Sequence, residues 1–202
     1  MERDIALCPE VLDGGEFFFE DDTFTLQKDV AIAICEEILR RRLKVRFSVN
    51  ARADTADDEL FKAMKAAGVR ELLVGFESAD DQILKNVKKK ACAEDGRNFM
   101  RLANKHEIDV HGCFVLGLPG ETEASMQKTI DYALGLDLNT LQFAAAMPFP
   151  GTSLFREVDA KGLVKTHDWS KWLDEGEQAS VIEYPGIDGK VLERFVNKGL
   201  ES

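Results

Sequence analysis

The sequence predicts an α/β fold, a partial, TIM-like (β/α) barrel with parallel strands, and three observations support this prediction. Strand-like runs alternate with amphipathic helical segments five times between residues 16 and 161. The interiors of these strand runs are apolar, as in strands that are buried on both faces. Polar, glycine or proline residues follow the strands, at the end where parallel α/β folds collect their functional groups. Five βα units are too few for a closed eight-stranded barrel, so we expect an open one.

The first predicted strand is the aromatic run at residues 16–22, which ends in three carboxylates. Val30, Ile34 and Ile38 recur every four positions and predict an amphipathic helix over residues 27–41. A second strand is predicted at residues 44–49.

Thr55, with Asp58 three residues later, predicts a helix start close to the capping-box pattern, and Gly68 predicts the end of that helix. A third strand follows at residues 71–76, and then two helices at 80–87 and 93–106.

The run Gly112–Leu116 is a short apolar stretch that stops at a Gly-Leu-Pro-Gly turn. It predicts a fourth strand, at residues 110–116, and a turn whose backbone can approach a ligand closely. An ordinary connection between a strand and a helix is the alternative reading of this turn.

The last part of the pattern comprises a helix over 122–136, a fifth strand at 140–146 and a helix at 153–161. Beyond Gly162 the pattern loosens, with a short segment at 169–173 and a final helix near 189–198. We therefore expect a barrel core over residues 1–162 and a C-terminal helical extension over 163–202.

Composition limits the function. The net charge is −11, from 37 acidic and 26 basic residues, which argues against nucleic acid or an anionic membrane surface as the main partner. No run approaches the ~20 apolar residues of a membrane helix, and the N-terminus lacks a signal-peptide pattern, so we expect a cytoplasmic protein.

The four cysteines (Cys8, Cys35, Cys92, Cys113) lack the close spacing of zinc or iron–sulfur ligands, and we predict no metal ligand in this chain. Cys35 and Cys113 are expected to be buried apolar residues.

Six motifs, in order across residues 17–160, resemble the radical S-adenosylmethionine (SAM) enzymes, in the branch that often carries a separate cobalamin-binding domain. The matching segments are residues 19–25, 48–52, 74–78, 83–85 with Lys89, 114–121 and 148–152. Proteins similar to this chain include anaerobic oxidative cyclases, radical methyltransferases and methylthiotransferases.

The resemblance implies a six-unit partial barrel, of which this chain would hold five units. The first strand of such a barrel leads into a Cys-x3-Cys-x2-Cys loop whose [4Fe-4S] cluster cleaves SAM to a 5′-deoxyadenosyl radical. That loop does not occur in this sequence. We therefore expect a portion of a catalytic core, inactive as this isolated chain, with SAM as its cofactor and the cluster held by another segment.

The resemblance also implies contacts with SAM at the carboxyl ends of the strands. Asp21 and Asp22 match the motif that meets the methionine amino group, and Arg52 and Lys89 match basic groups near the methionine carboxylate. Glu77 and Ser78 match the ribose or methionine position. The remaining matches, to the strand ends around the cofactor and its adenine, are Asn50, Val115, Gly117, Leu118 and Pro148.

Each assignment has a plainer alternative: solvated carboxylates at Asp21 and Asp22, a solvated lysine run at Lys89, and an N-cap role for Ser78. For the whole chain the alternative is a degenerate, non-catalytic barrel that binds a partner or a small molecule.

The substrate, which we expect to be a small molecule, cannot be identified from the sequence, and cobalamin would bind in a separate domain. The first strand is expected to present an exposed aromatic edge that promotes self-association unless residues 1–15 cover it.

Overall fold

The computed structural model describes residues 16–174, 177–178, 181–187 and 189–201. The chain divides into two compact units. The described part of the first unit comprises residues 16–76, 90–112 and 136–140. The second unit comprises residues 77–89 and 113–135, together with the described residues from 141 onward. The helical hint and the edge cover expected within residues 1–15 lie outside the described residues.

Five strands form one sheet in sequence order and run parallel, which confirms the predicted architecture. They are β1 (Glu16–Phe19), β2 (Arg46–Arg52), β3 (Val69–Glu77), β4 (Asp109–Leu116) and β5 (Thr140–Ala145). β1 pairs with β2, with Phe17 opposite Phe47, and β2 pairs with β3, with Ala51 opposite Val74. Two short strands, β6 (Leu173–Asp174) and β7 (Glu177–Gln178), form a separate antiparallel pair.

Helices follow the strands, as the sequence pattern predicts. They are α1 (Lys28–Arg40), α2 (Asp58–Ala67), α3 (Asp81–Asn86), α4 (Ala93–Lys105), α5 (Glu123–Leu134), α6 (Ser153–Ala160) and α7 (Gly189–Glu201). Short 3-10 turns cover Phe24–Leu26, Ala53–Thr55 and Trp169–Lys171. None of the helices in the described residues is long and apolar enough to cross a bilayer.

The core of the first unit is aromatic and aliphatic. Phe47, Phe61 and Phe99 are fully buried, and the rings of Phe61 and Phe99 meet edge to face at a centroid distance of 5.0 Å. The ring of Phe17 stacks on Phe47 at 5.4 Å and fixes β1 against the core. The other edge of β1 pairs with no strand of the described chain, and Phe18 on this strand is 37% exposed.

The core of the second unit lies around the end of β4. Ile83, Leu118, Ala146, Val158 and Ile182 form one buried cluster. Nearby, the ring of Phe114 stacks on Phe143 of β5 at 5.2 Å. The helix α7 packs against α5, and a Cβ atom added at Gly199 of α7 would lie 2.5 Å from the Phe143 ring, inside van der Waals contact.

Three details differ from the sequence-based expectations. The N-cap of α2 is Asp57, whose side chain accepts a hydrogen bond from the Leu60 N–H at 3.0 Å, and Thr55 instead ends a 3-10 turn. The N-cap of α3 is Asp80 and not Ser78. Cys35 is fully buried as expected, but Cys113 is only partly buried because it lies on the less covered face of β4.

Candidate functional site

The first unit places three predicted residues after β1 and on β2. Asp21 uses its carboxylate locally, because Oδ1 accepts a hydrogen bond from the Thr23 N–H at 2.9 Å. The backbone carbonyl of Asp21 accepts a hydrogen bond from Asn50 Nδ2 at 3.0 Å, so Asn50 ties the end of β2 to the residues that follow β1. Asp22 is exposed. The structure thus joins Asp21 and Asn50 and leaves the Asp22 side chain facing solvent.

Arg52, the last residue of β2, has an anionic partner within the chain. Its guanidinium binds Asp54 through two hydrogen bonds, Nε to Oδ1 at 2.9 Å and Nη2 to Oδ2 at 2.6 Å. This parallel pair is the favoured geometry for a guanidinium and a carboxylate. Asp54 raises the pKa of Arg52 further above its ordinary value. The guanidinium is therefore oriented by Asp54 and is 30% exposed.

In the second unit, Glu77 and Lys89 form an ion pair at the carboxyl end of β3. Lys89 Nζ lies 2.8 Å from Glu77 Oε1, and both side chains are about three-quarters buried. Glu77 has a φ of +65°, a left-handed backbone conformation that is uncommon for a residue with a side chain. Such strain is found most often where surrounding structure fixes a functional group. The two residues, predicted separately from the sequence, are thus direct partners.

Ser78 follows Glu77 but faces the interior. It is 1% exposed, its Oγ accepts a hydrogen bond from the Asp80 N–H at 3.2 Å, and it lies 3.2 Å from the hydroxyl of Thr129. These contacts connect the end of β3 to α5 through the Ser78 hydroxyl.

The turn after β4 is held by a buried carboxylate. Glu121 Oε2 accepts hydrogen bonds from the backbone N–H groups of Gly117, at 2.5 Å, and Leu118, at 2.9 Å. Gly117 has a φ of +82°, which favours glycine. The Pro119 carbonyl accepts a further bond from Asn86 Nδ2 at 2.8 Å. A single carboxylate oxygen therefore sets the path of the chain at the end of β4.

Glu121 is 7% exposed. Burial raises the pKa of its carboxyl to about 7, because removal from water disfavours the charged form. The N–H groups of Leu118 and Gly117 oppose this rise, and the negative charge of Asp80 adds to it. Glu121 therefore titrates close to neutral pH.

The other predicted residues of the second unit flank this turn. Val115 is partly buried and packs against the cluster that contains Leu118. Pro148 is buried in the segment between β5 and α6. The turn after it is closed by Thr152, whose Oγ1 donates to the Phe149 carbonyl at 2.6 Å and accepts from the Phe155 N–H at 3.1 Å.

With this geometry described, comparison with known proteins gives a family. The profile of the radical SAM superfamily matches residues 7–133, more than half of the sequence. The chain belongs to the radical SAM superfamily. The predicted family is thereby confirmed, and the matched range spans β1 to β4 and the helices between them.

The curated relatives of this chain include methyltransferases and cyclases. An uncharacterized methyltransferase of Pyrococcus horikoshii is 34% identical over 157 residues, which cover 78% of this chain and 34% of that protein. The bacteriochlorophyllide d C-12(1)-methyltransferase of Chlorobaculum tepidum is 27% identical, covering 89% of this chain and 39% of that protein. The anaerobic magnesium-protoporphyrin IX monomethyl ester cyclase of Rubrivivax gelatinosus is 27% identical, covering 79% of this chain and 29% of that protein. The chain thus spans about a third of the length of these relatives.

Solved radical SAM structures share the fold. The methyltransferase TsrM from Kitasatospora setae, determined with cobalamin and a [4Fe-4S] cluster, matches with a TM-score of 0.72 at 22% identity, over 83% of this chain and 32% of that one. The coproporphyrinogen III oxidase HemN from Escherichia coli matches with a TM-score of 0.60 at 13% identity, over 87% of this chain and 37% of that chain.

The family implies SAM and a [4Fe-4S] cluster, and the described residues fit only the first. Taken separately, the carboxylates and oriented guanidinium of the first unit suit amino and carboxylate groups, and the carboxylate, ammonium group and glycine turn of the second unit suit a nucleoside. No group of three or more candidate metal ligands occurs in the described residues. Burial raises the pKa of Cys35 to about 12 and also raises that of Cys113, which disfavours the thiolates that bind iron. Cys8 lies outside the described residues.

Two features of the site were not predicted. Glu121 is the last residue of the matching segment 114–121, but the sequence does not reveal that its carboxylate accepts hydrogen bonds from the backbone of Gly117 and Leu118. Asp54 two residues after Arg52 is a local signal that was available, because an acid so near can bind the guanidinium.

Proposed function

We propose that this chain forms part of the SAM-binding core of a radical SAM enzyme. The observation that carries the proposal is the Gly117–Leu118 turn at the carboxyl end of β4, held from behind by Glu121. Its glycine permits close approach of a flat ligand, and strand ends are where α/β folds bind such ligands.

The second-unit residues are proposed to contact the nucleoside half of SAM. Glu77 can accept hydrogen bonds from both ribose hydroxyls, and the hydrogen bond from Lys89 orients that carboxylate. The adenine is proposed to lie against the backbone of Val115, Gly117 and Leu118. Pro148 is proposed to close this pocket, and Ser78 to support it from the interior.

From the family's motifs, the residues that follow β1 and end β2 are proposed to contact the amino-acid half of SAM. The carboxylate of Asp22 and the residues after β1 suit the ammonium group, which a carboxylate or carbonyl oxygen can bind. Asn50 holds the backbone of Asp21 in place for this contact. Arg52 offers a guanidinium, oriented by Asp54, to the methionine carboxylate.

The reaction type is proposed from the relatives: methyl transfer, methylthio transfer or oxidative cyclisation of a small molecule. The [4Fe-4S] cluster is proposed to be held by residues other than those described, and cobalamin, where it is used, by a separate domain. A reducing compartment such as the cytoplasm suits the three described cysteines, all of them free thiols. We also propose that the open edge of β1 pairs with a second copy of the isolated chain.

Titration calorimetry of the 202-residue chain with SAM tests the proposal. We expect saturable binding, weakened about tenfold or more by Glu77→Gln, because a charged acceptor of two hydrogen bonds is lost. The matched control is Glu94→Gln, at a side chain 77% exposed on α4. Absence of SAM binding by the wild-type chain, or equal loss in both variants, would favour the non-catalytic alternative.

A further inference from the structure

The two oxygens of the Glu121 carboxylate differ in their surroundings. Oε2 accepts the two backbone hydrogen bonds that form the Gly117–Leu118 turn. Oε1 is equally inaccessible to water but has no hydrogen-bond partner among the described residues. Buried carboxylate oxygens are nearly always satisfied, so a donor for Oε1 is expected nearby.

A second buried polar atom in the same unit also lacks a partner within the described chain, namely the hydroxyl of Tyr184. The Tyr184 ring packs against the buried cluster that contains Leu118, next to the turn. Burial raises the pKa of Tyr184, and the charges of Glu157 and Glu121 raise it further. The Tyr184 hydroxyl is therefore close enough to Glu121 for a charged Glu121 to disfavour its ionisation.

Tyr184 also lines a cavity of about 500 Å³, together with Leu163, Pro185 and Val191. Glu121 does not line this cavity, so the two buried oxygens do not meet there. A single buried water commonly joins two polar groups that do not reach each other directly. The cavity lies in the C-terminal part of the chain, between the 183–186 segment and the first turn of α7.

We propose that Tyr184 is a positioning residue for the Gly117–Leu118 turn, because its hydroxyl donates, through one bound water, to Glu121 Oε1 and so favours the ionised carboxylate that holds the turn. Its significance for SAM rests on the function proposed above. The C-terminal segment thereby contributes to the pocket without touching the ligand.

The charged groups around this pair act against ionisation of Glu121. Asp80 raises its pKa, although Lys128, whose Nζ lies 3.1 Å from Asp80 Oδ2, moderates that effect. Glu157 adds further negative charge near Tyr184. A neutral hydroxyl donor is therefore the group that can offset burial at Glu121 without a salt bridge.

Backbone amide NMR of the full chain provides the test, because the Gly117 and Leu118 N–H groups report directly on the carboxylate they bind. Both resonances should titrate together near pH 7 in the wild type and should stop titrating in Glu121→Gln. In Tyr184→Phe the midpoint should rise by roughly 0.5 to 1 pH unit, since a donor to the charged form is lost.

Tyr132→Phe is the matched control, because it removes the hydroxyl of the other tyrosine of the sequence, which lies on α5 and does not contribute to the pKa shift of Glu121. Its midpoint should equal that of the wild type. An unchanged or lowered midpoint in Tyr184→Phe would overturn the proposal, since the hydroxyl would then not favour the charged carboxylate.

SAM binding gives a second readout that a merely structural role would not produce. If only the ionised carboxylate holds the turn, Tyr184→Phe should bind SAM about threefold more weakly at pH 7 and equally well at pH 9, relative to Tyr132→Phe. A loss of the same size at both pH values would indicate general destabilisation. A shifted NMR midpoint without any SAM binding would refute the proposed function and leave the positioning role standing.

Should Tyr184→Phe not fold, fluorine NMR of the chain labelled with 3-fluorotyrosine keeps the proposal testable. The sequence has two tyrosines, so Tyr132→Phe assigns both signals. The Tyr184 signal should titrate with the same midpoint as the Gly117 amide, and a flat Tyr184 signal would contradict the water-mediated link.

Discussion

Leu192 of α7 fills the space beside Gly117 that a side chain there would need. A Cβ atom at Gly117 would lie 2.7 Å from Leu192 Cδ2, inside van der Waals contact. The C-terminal helix and the turn after β4 are therefore complementary in shape, and Gly117 is required both for its backbone angle and for this contact.

The first prediction separates these two requirements. Gly117→Ala should lower the free energy of unfolding by about 2 to 4 kcal/mol, from a left-handed alanine plus overpacking against Leu192. Gly151→Ala is the matched control, because Gly151 has a φ of +86° but no neighbour within 4 Å of the added Cβ, and it should cost only about 1 to 2 kcal/mol. Urea unfolding measures both changes in the free energy of unfolding. Equal losses in the two variants would show that contact with Leu192 does not destabilise Gly117→Ala.

The second prediction concerns the ion pair of Lys89 with Glu77. Lys89→Met should weaken SAM binding about tenfold, because the Glu77 carboxylate loses the cation that orients it. Lys90→Met, at the exposed neighbouring lysine, should bind as the wild type does. Calorimetry at constant pH provides the comparison, and similar affinities for the two variants would argue against a role for the pair.

The third prediction is a pH dependence of stability that Glu121 causes. Its pKa rises on folding from an ordinary 4.5 to about 7, so the folded chain binds more protons than the unfolded chain between these values. Stability must therefore fall as the pH rises through this window, by roughly 3 kcal/mol relative to Glu121→Gln, and level off above it. Urea unfolding at several pH values measures this difference, which would be flat or opposite in sign if the carboxylate were not destabilised by burial.

The fourth prediction concerns the open edge of β1. The isolated wild-type chain should self-associate with increasing concentration, because Phe18 and the unpaired backbone of β1 form a template for strand pairing. Phe18→Lys should abolish this, whereas Leu134→Lys, at an apolar residue on α5 that is more exposed than Phe18 (48% against 37%), should not. Light scattering coupled to size-exclusion chromatography reads out the mass, and a wild-type monomer at all concentrations would contradict the prediction.

The parallel sheet could be predicted because each strand carries its signal locally, in an apolar run that stops at polar residues or glycine. Helix starts were less certain, because several nearby residues can cap. Thr55 looked like an N-cap, but its hydroxyl bonds the Arg52 carbonyl at 2.7 Å and lies 2.6 Å from that of Thr25, so Asp57 caps α2 instead.

The candidate site was predictable in its positions but not in its partners. Glu77 and Lys89 are twelve residues apart, and only the path of α3 brings them together. The family resemblance placed Ser78 at a ribose or methionine position, and its side chain turns inward because Thr129 and the Asp80 amide satisfy its hydroxyl there. The link between Glu121 and Tyr184 depends on burial across 63 positions of chain, for which a local pattern carries no signal.

The fork between Arg52 and Asp54 has a consequence for selectivity. Any anion that reaches this guanidinium enters as a competitor, since Asp54 already neutralises it through two bonds. Replacing the Asp54 carboxylate by that of a ligand changes the binding free energy little. Arg52 therefore contributes to selectivity through its geometry more than to affinity through its charge. The affinity of an anionic ligand for Arg52 should consequently depend only weakly on salt concentration.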